Sequence, residues 1–222
     1  MTTRSTKLAI EHWDKTPLFL TEEQRYSAYP WLYEAAEFRH HPGEKVLEIG
    51  CGTGSDLLQF AKNGAEAIGI DATPEHVRLA RERVGNKAKV LRADATALPF
   101  SDGQFDYVYS HGVLHHIDQP ARVVRELFRV LRPGGRFNVQ VYAFWSLRHL
   151  AYRLLYRRQW KEFVENSRDP VHLDTYTGRQ LRALFSPADV TFNKYECFSF
   201  LPSPIFGRLL GWFIVARGSV WK

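Results

Sequence analysis

The sequence predicts an α/β domain whose mostly parallel sheet carries helices on both faces. Between residues 45 and 143, short apolar runs alternate with helical stretches of roughly ten residues, the pattern of parallel βαβ units with right-handed crossovers. The first run, 45–49, ends in a glycine-rich turn that opens onto a helix, as in doubly wound sheets. A chain of 222 residues suits one large domain and is too short for two ordinary ones, so we take 1–222 as a single domain.

Residues 1–42 precede the first predicted strand and are expected to form an N-terminal helical cap. Such a cap covers the ligand crevice, which lies outside the carboxyl ends of the strands. Residues 11–17 are aromatic and predicted to be irregular, whereas 22–40 are helix-like with an interruption at Pro30. The aromatic side chains of the cap either line a lid or pack their helix on the sheet; they are Trp13, Tyr26, Tyr29 and Trp31.

The core, 45–143, is predicted from five apolar runs and the helical segments between them. Strands are expected at 45–49, 66–70, 89–91, 105–110 and 136–143, and helices at 56–62, 74–84 and 120–131. Thr73 is the expected N-cap of the second helix, with Pro74 in its first turn. The Pro-Gly-Gly sequence at 133–135 is expected to end the third helix.

Residues 144–174 are longer than a simple connection and predict a helical insert. Apolar residues recur there at helical spacing, and basic residues occupy the other side. The apolar set is Leu147, Leu150, Ala151, Leu154 and Leu155, and the basic set is Arg148, Arg153, Arg157, Arg158 and Lys161. Residues 175–222 are expected to close the domain with a helix at 176–185 and a strand pair at 190–198 and 212–216.

The composition, 45% hydrophobic and 24% charged, is that of a globular protein. No apolar run approaches the ~18 to 20 residues of a membrane span, and residues 1–10 lack a signal-peptide core. Of the two cysteines, Cys51 lies inside the glycine turn, so we expect no structural disulfide and a cytoplasmic protein. Without a Cys/His cluster we expect no metal site. The net charge of +6 fits either an anionic partner or ordinary solubility.

The glycine turn has the pattern Glu-x-Gly-x-Gly-x-Gly over residues 48–54, and Asp71 ends the next apolar run. Glycines let a backbone approach a ligand closely, and an acid in the position of Asp71 can accept hydrogen bonds from ribose hydroxyls. The dinucleotide fingerprint requires a third glycine where this chain has Ser55, so the pattern disfavours NAD. A glycine turn without a cofactor remains the simpler alternative at this point.

Later segments favour a cofactor site. Arg-Ala-Asp-Ala at 92–95 ends the third predicted strand, where a carboxylate can accept a hydrogen bond from an adenine amino group. Further motifs occupy 98–106, 110–116 and 126–135. Together with the glycine turn, these segments closely resemble the class I S-adenosylmethionine-dependent methyltransferases. The resemblance is to the small-molecule type of ubiquinone and menaquinone biosynthesis, and it covers roughly residues 45–141.

The resemblance implies a Rossmann-like sheet of seven strands with an antiparallel last strand, and it implies S-adenosylmethionine as cofactor. That cofactor has no pyrophosphate but carries a sulfonium and an ammonium, which suit the carboxylate of Glu48. Carried over by position, the cofactor-binding residues are Glu48, Gly50, Gly52, Thr53 and Gly54 for the methionine end, Asp71 and Ala72 for the ribose, Asp94 and Ala95 for the adenine, and Ser110 and His111 beside the methyl group.

The implied reaction is an in-line methyl transfer, which depends mainly on proximity and orientation. A general base helps if the acceptor is a hydroxyl or a carbon acid, and histidine has a suitable pKa. The candidate catalytic residues are His111, His115 and His116, with His172 as a further candidate in the insert. For His115 and His116, anchoring of their loop by hydrogen bonds is the alternative role.

The expected acceptor is a small aromatic or lipid-like molecule held between the cap and the insert. Aromatic side chains suit such a molecule, and those expected near it are Tyr142, Phe144, Trp145, Tyr152, Tyr156 and Trp160. Alternatives are an RNA or other nucleic-acid methyltransferase, peripheral membrane contact through the basic helix and residues 206–213, and a non-catalytic cofactor-binding protein. The Ser-His-Gly-Val sequence at 110–113 argues against nucleic acid. The sequence carries no signal for the oligomeric state.

Overall fold

The computed structural model describes residues 4–15, 17, 20–147, 149, 150, 154, 174–195 and 211–221, and they form a seven-stranded sheet covered by helices. The strands are β1 (Lys45–Ile49), β2 (Glu66–Asp71), β3 (Lys89–Arg92), β4 (Phe105–His111), β5 (Leu131–Tyr142), β6 (Asp189–Tyr195) and β7 (Phe213–Ser219). Their order in the sheet is β3-β2-β1-β4-β5-β7-β6. β7 runs antiparallel to both neighbours, and the pairs from β3 to β5 are parallel, so the predicted fold class is confirmed.

The helices cover both faces of this sheet. They are α1 (Arg4–Lys15), α2 (Glu22–Ala28), α3 (Leu32–Ala35), α4 (Ser55–Lys62), α5 (Pro74–Val84), α6 (Pro120–Val130) and α7 (Gly178–Leu184), with 3₁₀ turns at Phe38–His40 and Leu114–His116. Successive residues of β1 enter different apolar clusters: Val46 packs with α4 and α5, and Leu47 packs with α6 and α7. Burial on both faces explains why the central strands are continuous apolar runs.

Two local predictions, for residues 11–17 and 133–135, were wrong, whereas the N-cap position of Thr73 was confirmed. Residues 11–17 were expected to be irregular, but α1 extends to Lys15. Thr73 holds the N-cap position of α5 without a capping bond from its side chain; its backbone N–H donates to Asp71 instead. The Pro-Gly-Gly sequence at 133–135 does not end α6, because that helix stops at Val130 and β5 has already begun. These residues lie within β5, where Gly134 N–H donates to the carbonyl of Val220, the residue that follows β7.

Much of the predicted insert lies outside the described residues. Within 144–174, helix is described only at Leu147, His149, Leu150 and Leu154. The sequence predictions that fall outside the described residues concern Arg148, Ala151, Tyr152, Arg153, Leu155, Tyr156, Arg157, Arg158, Trp160, Lys161, His172, most of 206–213 and the end of the strand predicted at 190–198. Within the described segments, no helix combines the length and apolarity needed to cross a membrane.

Candidate functional site

A cavity of about 290 Å³ opens at the carboxyl ends of the central parallel strands. The ends of β1, β2, β4 and β5 contribute to one side of it, and α1 and α2 contribute the other. Trp13 of α1 and Arg25 of α2 both line the cavity. The cap therefore covers the crevice at the sheet edge where ligands of doubly wound folds bind.

The glycine turn shapes one wall of this cavity. Gly50 and Gly52 have φ angles of +71° and +51°, in the left-handed region that favours glycine. A Cβ atom at Gly50 would lie 2.2 Å from Cγ2 of Val113, whereas one at Gly52 would meet no atom within 4 Å. Gly54 serves helix packing, because a Cβ atom there would lie 3.1 Å from Cα of Ala80 in α5.

Asp71 ends β2 as a buried, ionised acceptor. Its Oδ2 accepts the N–H of Gly52 at 2.9 Å, and its Oδ1 accepts the N–H of Thr73 at 2.9 Å. Nδ1 of His76 lies 3.5 Å from Oδ1. Burial alone would raise the pKa of Asp71, but His76 and the two N–H groups outweigh it, so the pKa is lowered. A carboxylate oxygen can accept more than one hydrogen bond, so Asp71 retains acceptor capacity on the cavity wall.

Glu48 places a second buried carboxylate on the cavity wall. The residue is 3% exposed, and its Oε2 has no hydrogen-bond partner within the part of the chain that the structure describes. Burial, together with the negative charges of Asp56 and Asp71, raises the pKa of Glu48, and Arg25 only partly offsets this. A buried polar atom without a partner is costly, so this oxygen calls for a donor or a cation in the cavity.

Arg25 and Asp56 join the cap to the core beside Glu48. Nε of Arg25 donates to Oδ1 of Asp56 at 2.7 Å, and Nη2 donates to Oδ2 at 2.6 Å. The hydroxyls of Tyr26 and Tyr109 also donate to this carboxylate, each at 3.0 Å. Burial would raise the pKa of Asp56, but Arg25 and these hydrogen bonds lower it. Four donated hydrogen bonds saturate the carboxylate, so Asp56 is ionised and fully satisfied.

His111 ends β4 next to this ion pair. Its Nδ1 lies 3.5 Å from Nη2 of Arg25. Because a guanidinium only donates, Nδ1 acts as the acceptor and the proton of neutral His111 belongs on Nε2. Burial and the charge of Arg25 lower the pKa of His111 to about 3. The imidazole is therefore neutral at physiological pH and offers the cavity side a donor.

The central part of the chain matches a known domain family. The sequence model of the family described as "Methyltransferase domain" matches residues 47–139, which contain the glycine turn, Asp71 and His111. Residues 47–139 thus resemble a methyltransferase domain. The methyltransferase domain predicted from the sequence is thereby confirmed, with S-adenosylmethionine as the cofactor that such a domain uses.

Two relatives with named methyltransferase activities each match about half of this chain. The sterol 4-C-methyltransferase strm-1 of Caenorhabditis elegans is 36% identical over 122 residues, and the chloroplastic tocopherol O-methyltransferase of Arabidopsis thaliana is 38% identical over 114 residues. Each match covers 49% of this chain, but only 36% and 32% of those proteins, so the chain spans about a third of their length.

Nearly the whole chain shares its fold with a solved structure. The crystal structure of the PH0226 protein from Pyrococcus horikoshii OT3 matches it with a TM-score of 0.71 and 21% sequence identity. This match covers 94% of this chain and 98% of that chain. At such low identity the likeness concerns the fold.

Most of the predicted site residues line the cavity of the methyltransferase domain. They are Glu48, Gly50, Gly52, Thr53, Asp71, Ala72, Asp94, Ala95, His111 and His116. Three others do not line it. Gly54 packs on α5, and the hydroxyl of Ser110 donates to the carbonyl of Ile49 at 3.0 Å. His115 is fully buried, with its ring centroid 4.0 Å from that of Tyr142.

The aromatic residues of the cap divide between the two predicted roles. Trp13 and Tyr29 line the cavity, as a lid would require. Tyr26 and Trp31 pack instead: Tyr26 donates to Asp56, and the ring of Trp31 stacks on Tyr195 at 4.6 Å. Among the aromatic residues predicted near the acceptor, Tyr142 lines the cavity, whereas Trp145 is 61% exposed.

Several polar residues of the site were not predicted from the sequence. Arg25, Asp56, His76 and Gln140 all line the cavity. Only strand register could have revealed Gln140, since it pairs with the predicted residue His111 across β4 and β5. Throughout the described ranges, no group of three or more His, Cys, Asp or Glu side chains is arranged to hold a metal ion.

Proposed function

We propose that this protein is a methyltransferase that transfers the methyl group of S-adenosylmethionine to a small aromatic or lipid-like acceptor. The observation that carries the proposal is Glu48, a buried carboxylate whose Oε2 lacks a partner among the described residues. It lies beside a glycine turn that leaves room for a ligand at Gly52. A cationic ligand with an ammonium group fits this carboxylate better than a pyrophosphate would, because like charges repel.

The cofactor would lie along the carboxyl ends of β1 to β4. Glu48 would accept hydrogen bonds from the ammonium, and Asp71 from the ribose hydroxyls. The other residues that we assign to the cofactor are Gly50, Gly52 and Thr53 at the methionine end, Ala72 at the ribose, and Asp94 and Ala95 at the adenine. We assign Gly54 and Ser110 supporting roles, because they pack the turn and the strands without lining the cavity.

The residues of this chain would mainly hold the cofactor and the acceptor in position, and would contribute little acid–base chemistry. When bound, S-adenosylmethionine supplies a methyl group that is already activated, because its leaving group is a neutral thioether. The cap and the aromatic walls would exclude water and align the acceptor, and orientation is the main requirement of an in-line transfer. His111 is a poor general base, since its Nδ1 faces Arg25 and its pKa is about 3.

We therefore assign any general-base role to His116 rather than to His111 or His115. His116 lines the cavity, and its ring lies 5.7 Å from that of Trp13 in the cap. His115 is fully buried and does not line the cavity, so its proposed role is to anchor the loop. A cytoplasmic location remains a prediction from the cysteine content.

Calorimetry tests the cofactor, and a turnover assay tests the reaction. Purified protein should bind S-adenosylmethionine and S-adenosylhomocysteine, and should not bind NAD tightly. Binding of NAD without binding of either sulfur compound would refute the proposal. Methyl transfer from isotope-labelled S-adenosylmethionine to a panel of phenols and sterols would then separate an enzyme from a protein that only binds the cofactor.

A further inference from the structure

His111 and Gln140 stand side by side at the carboxyl ends of β4 and β5. They are register partners in the parallel ladder between these strands. Neighbouring strands lie about 4.8 Å apart, and register partners point to the same face of a sheet, so the two side chains are neighbours. Both line the cavity. Any molecule that reaches this part of the cavity meets them as a pair, which we call the polar pair.

The amide of Gln140 has a defined orientation. The residue is 1% exposed, and its Nε2 donates to the carbonyl of Val141 at 2.8 Å. A carbonyl oxygen can only accept, so the nitrogen of the amide must face Val141, and the assignment of the two amide atoms follows. The Oε1 atom is buried and has no hydrogen-bond partner in the described segments. Gln140 therefore offers an unused acceptor.

His111 supplies the complementary group. Its Nε2 is also buried without a partner in the described part of the chain, and it carries the proton because Nδ1 faces Arg25. The polar pair thus presents one donor and one acceptor to the same cavity. Buried polar atoms in folded proteins are almost always hydrogen-bonded, so two adjacent exceptions on a cavity wall indicate a ligand.

Aromatic rings surround the polar pair. Tyr142 follows Gln140 by two residues on β5 and so lies on the same face of the sheet. Phe213 is the register partner of Tyr142 on β7, and their ring centroids are 5.5 Å apart. Tyr29 of the cap lies 5.8 Å from Phe213, centroid to centroid. These three rings all line the cavity and suit a flat apolar skeleton.

We infer that the methyl acceptor carries an uncharged hydroxyl group on an aromatic or alicyclic ring, and that His111 and Gln140 hold this hydroxyl between them. The inference rests on the proposed function, because it describes the second ligand of the same cavity. A hydroxyl accepts from Nε2 of His111 and donates to Oε1 of Gln140, so it satisfies both atoms. A carboxylate or phosphate has no proton for Gln140, and an ammonium has no lone pair for His111.

Three probes of one skeleton test the inference: 2-naphthol, 2-methoxynaphthalene and 2-naphthoate. Their affinities are measured by ligand-observed NMR titration, with and without saturating S-adenosylhomocysteine. The hydroxyl of 2-naphthol serves both members of the polar pair, the methoxy group can only accept, and the carboxylate repels Oε1 of Gln140. We expect 2-naphthol to bind at least about tenfold more tightly than either of the others, because sites built for a hydroxyl reject analogues that lack it.

Two variants test whether the preference for 2-naphthol comes from the polar pair. In Gln140→Met, which removes the acceptor at similar volume, 2-naphthol and 2-methoxynaphthalene should bind within about threefold of each other. Gln104→Met is the matched control, because Gln104 precedes β4 at the end remote from His111, and it should keep the wild-type preference. Wild-type affinities within threefold for all three probes, tighter binding of 2-naphthoate, or an unchanged preference in Gln140→Met would overturn the inference.

The experiment distinguishes a failure of the proposed function from a failure of this inference. If the wild type does not bind S-adenosylhomocysteine, the cofactor assignment is lost, while the ranking of the three probes still reports on the polar pair. If S-adenosylhomocysteine binds and the probes show no preference for 2-naphthol, the polar pair is not a hydroxyl site and the cofactor assignment stands. If Gln140→Met does not fold, the affinities of the wild type for the three probes alone decide whether the inference holds.

Discussion

Arg25 and Asp56 form a buried ion pair that joins the cap to the helix after the glycine turn. The two side chains are 17% and 1% exposed, and two hydrogen bonds of 2.7 Å and 2.6 Å connect them. The two residues are 31 positions apart in the sequence. This contact sets the position of α2 over the cavity and, through Nη2 of Arg25, the tautomer of His111.

Breaking this pair on one side should destabilise the protein strongly. In Arg25→Met the charge of Asp56 stays buried without its partner, which typically costs about 3–5 kcal/mol in the free energy of unfolding. The double variant Arg25→Met/Asp56→Leu should recover much of this loss, because it leaves no unpaired charge. Urea unfolding measures both. Arg78→Met is the control, since Arg78 is 53% exposed in its ion pairs, and an equal loss there would contradict the prediction.

Asp71 should dominate the binding of the ribose. Asp71→Asn removes a charged acceptor, and a hydrogen bond to a charged group is worth about 1.5–3 kcal/mol. We therefore expect at least tenfold weaker binding of S-adenosylhomocysteine by calorimetry, with a smaller effect for Asp94→Ala. Asp102→Asn is the matched control, because the side chain of Asp102 is 76% exposed in a loop before β4. Wild-type affinity in Asp71→Asn would show that the ribose lies elsewhere.

Glu48 should release a proton when the cofactor binds. Burial, followed by the charges of Asp56 and Asp71, raises the pKa of Glu48 in the protein without ligand. A bound ammonium favours the carboxylate and lowers this pKa, so binding expels a proton from the protonated fraction. Calorimetry at one pH in buffers of different ionisation enthalpy should show this release as a binding enthalpy that depends on the buffer. The release should vanish in Glu48→Gln; if it persists there, another group is responsible.

Local features of the sequence predicted the core well. The first predicted strand matches β1 at both ends, and the helix predicted from Pro74 to Val84 matches α5. Buried strands and a proline in the first helical turn have signatures within a few residues, which is why these elements could be predicted. The glycine turn was recognisable for the same reason, because positive φ angles restrict Gly50 and Gly52 to one residue type.

The features that could not be predicted from the sequence depend on tertiary contacts. α1 is held by contacts with the start of α5: Oδ1 of Asp14 accepts the N–H of Glu75 at 3.0 Å, and the ring of Trp13 lies 6.4 Å from that of His76. Such packing supplies more helical stability than the propensity of a short segment does. The pairing of Arg25 with Asp56 likewise depends on the fold, because nothing in either local sequence specifies the partner.

His111 should remain neutral across the physiological pH range. Burial and the positive charge of Arg25 lower its pKa from 6.5 to about 3. In NMR spectra the Cε1–H resonance of His111, assigned by its loss in His111→Gln, should therefore not shift between about pH 5 and pH 8. In Arg25→Met the same pKa should rise, because the repelling charge is gone while Asp56 remains nearby. A midpoint between pH 6 and 7 in the wild type would contradict the prediction.

The lowered pKa of His111 also determines the direction in which the free energy of unfolding changes with pH. In the unfolded chain a histidine has a pKa near 6.5, so below that pH the unfolded state binds a proton that folded His111 does not bind. The contribution of His111 to the free energy of unfolding is therefore complete above about pH 6.5 and declines as the pH falls toward about 3. Urea unfolding of the wild type and of His111→Gln at about pH 7.5 and pH 5 isolates this contribution of His111. We expect the wild type to lose more stability than His111→Gln between these two pH values, and equal losses would assign the effect to other groups.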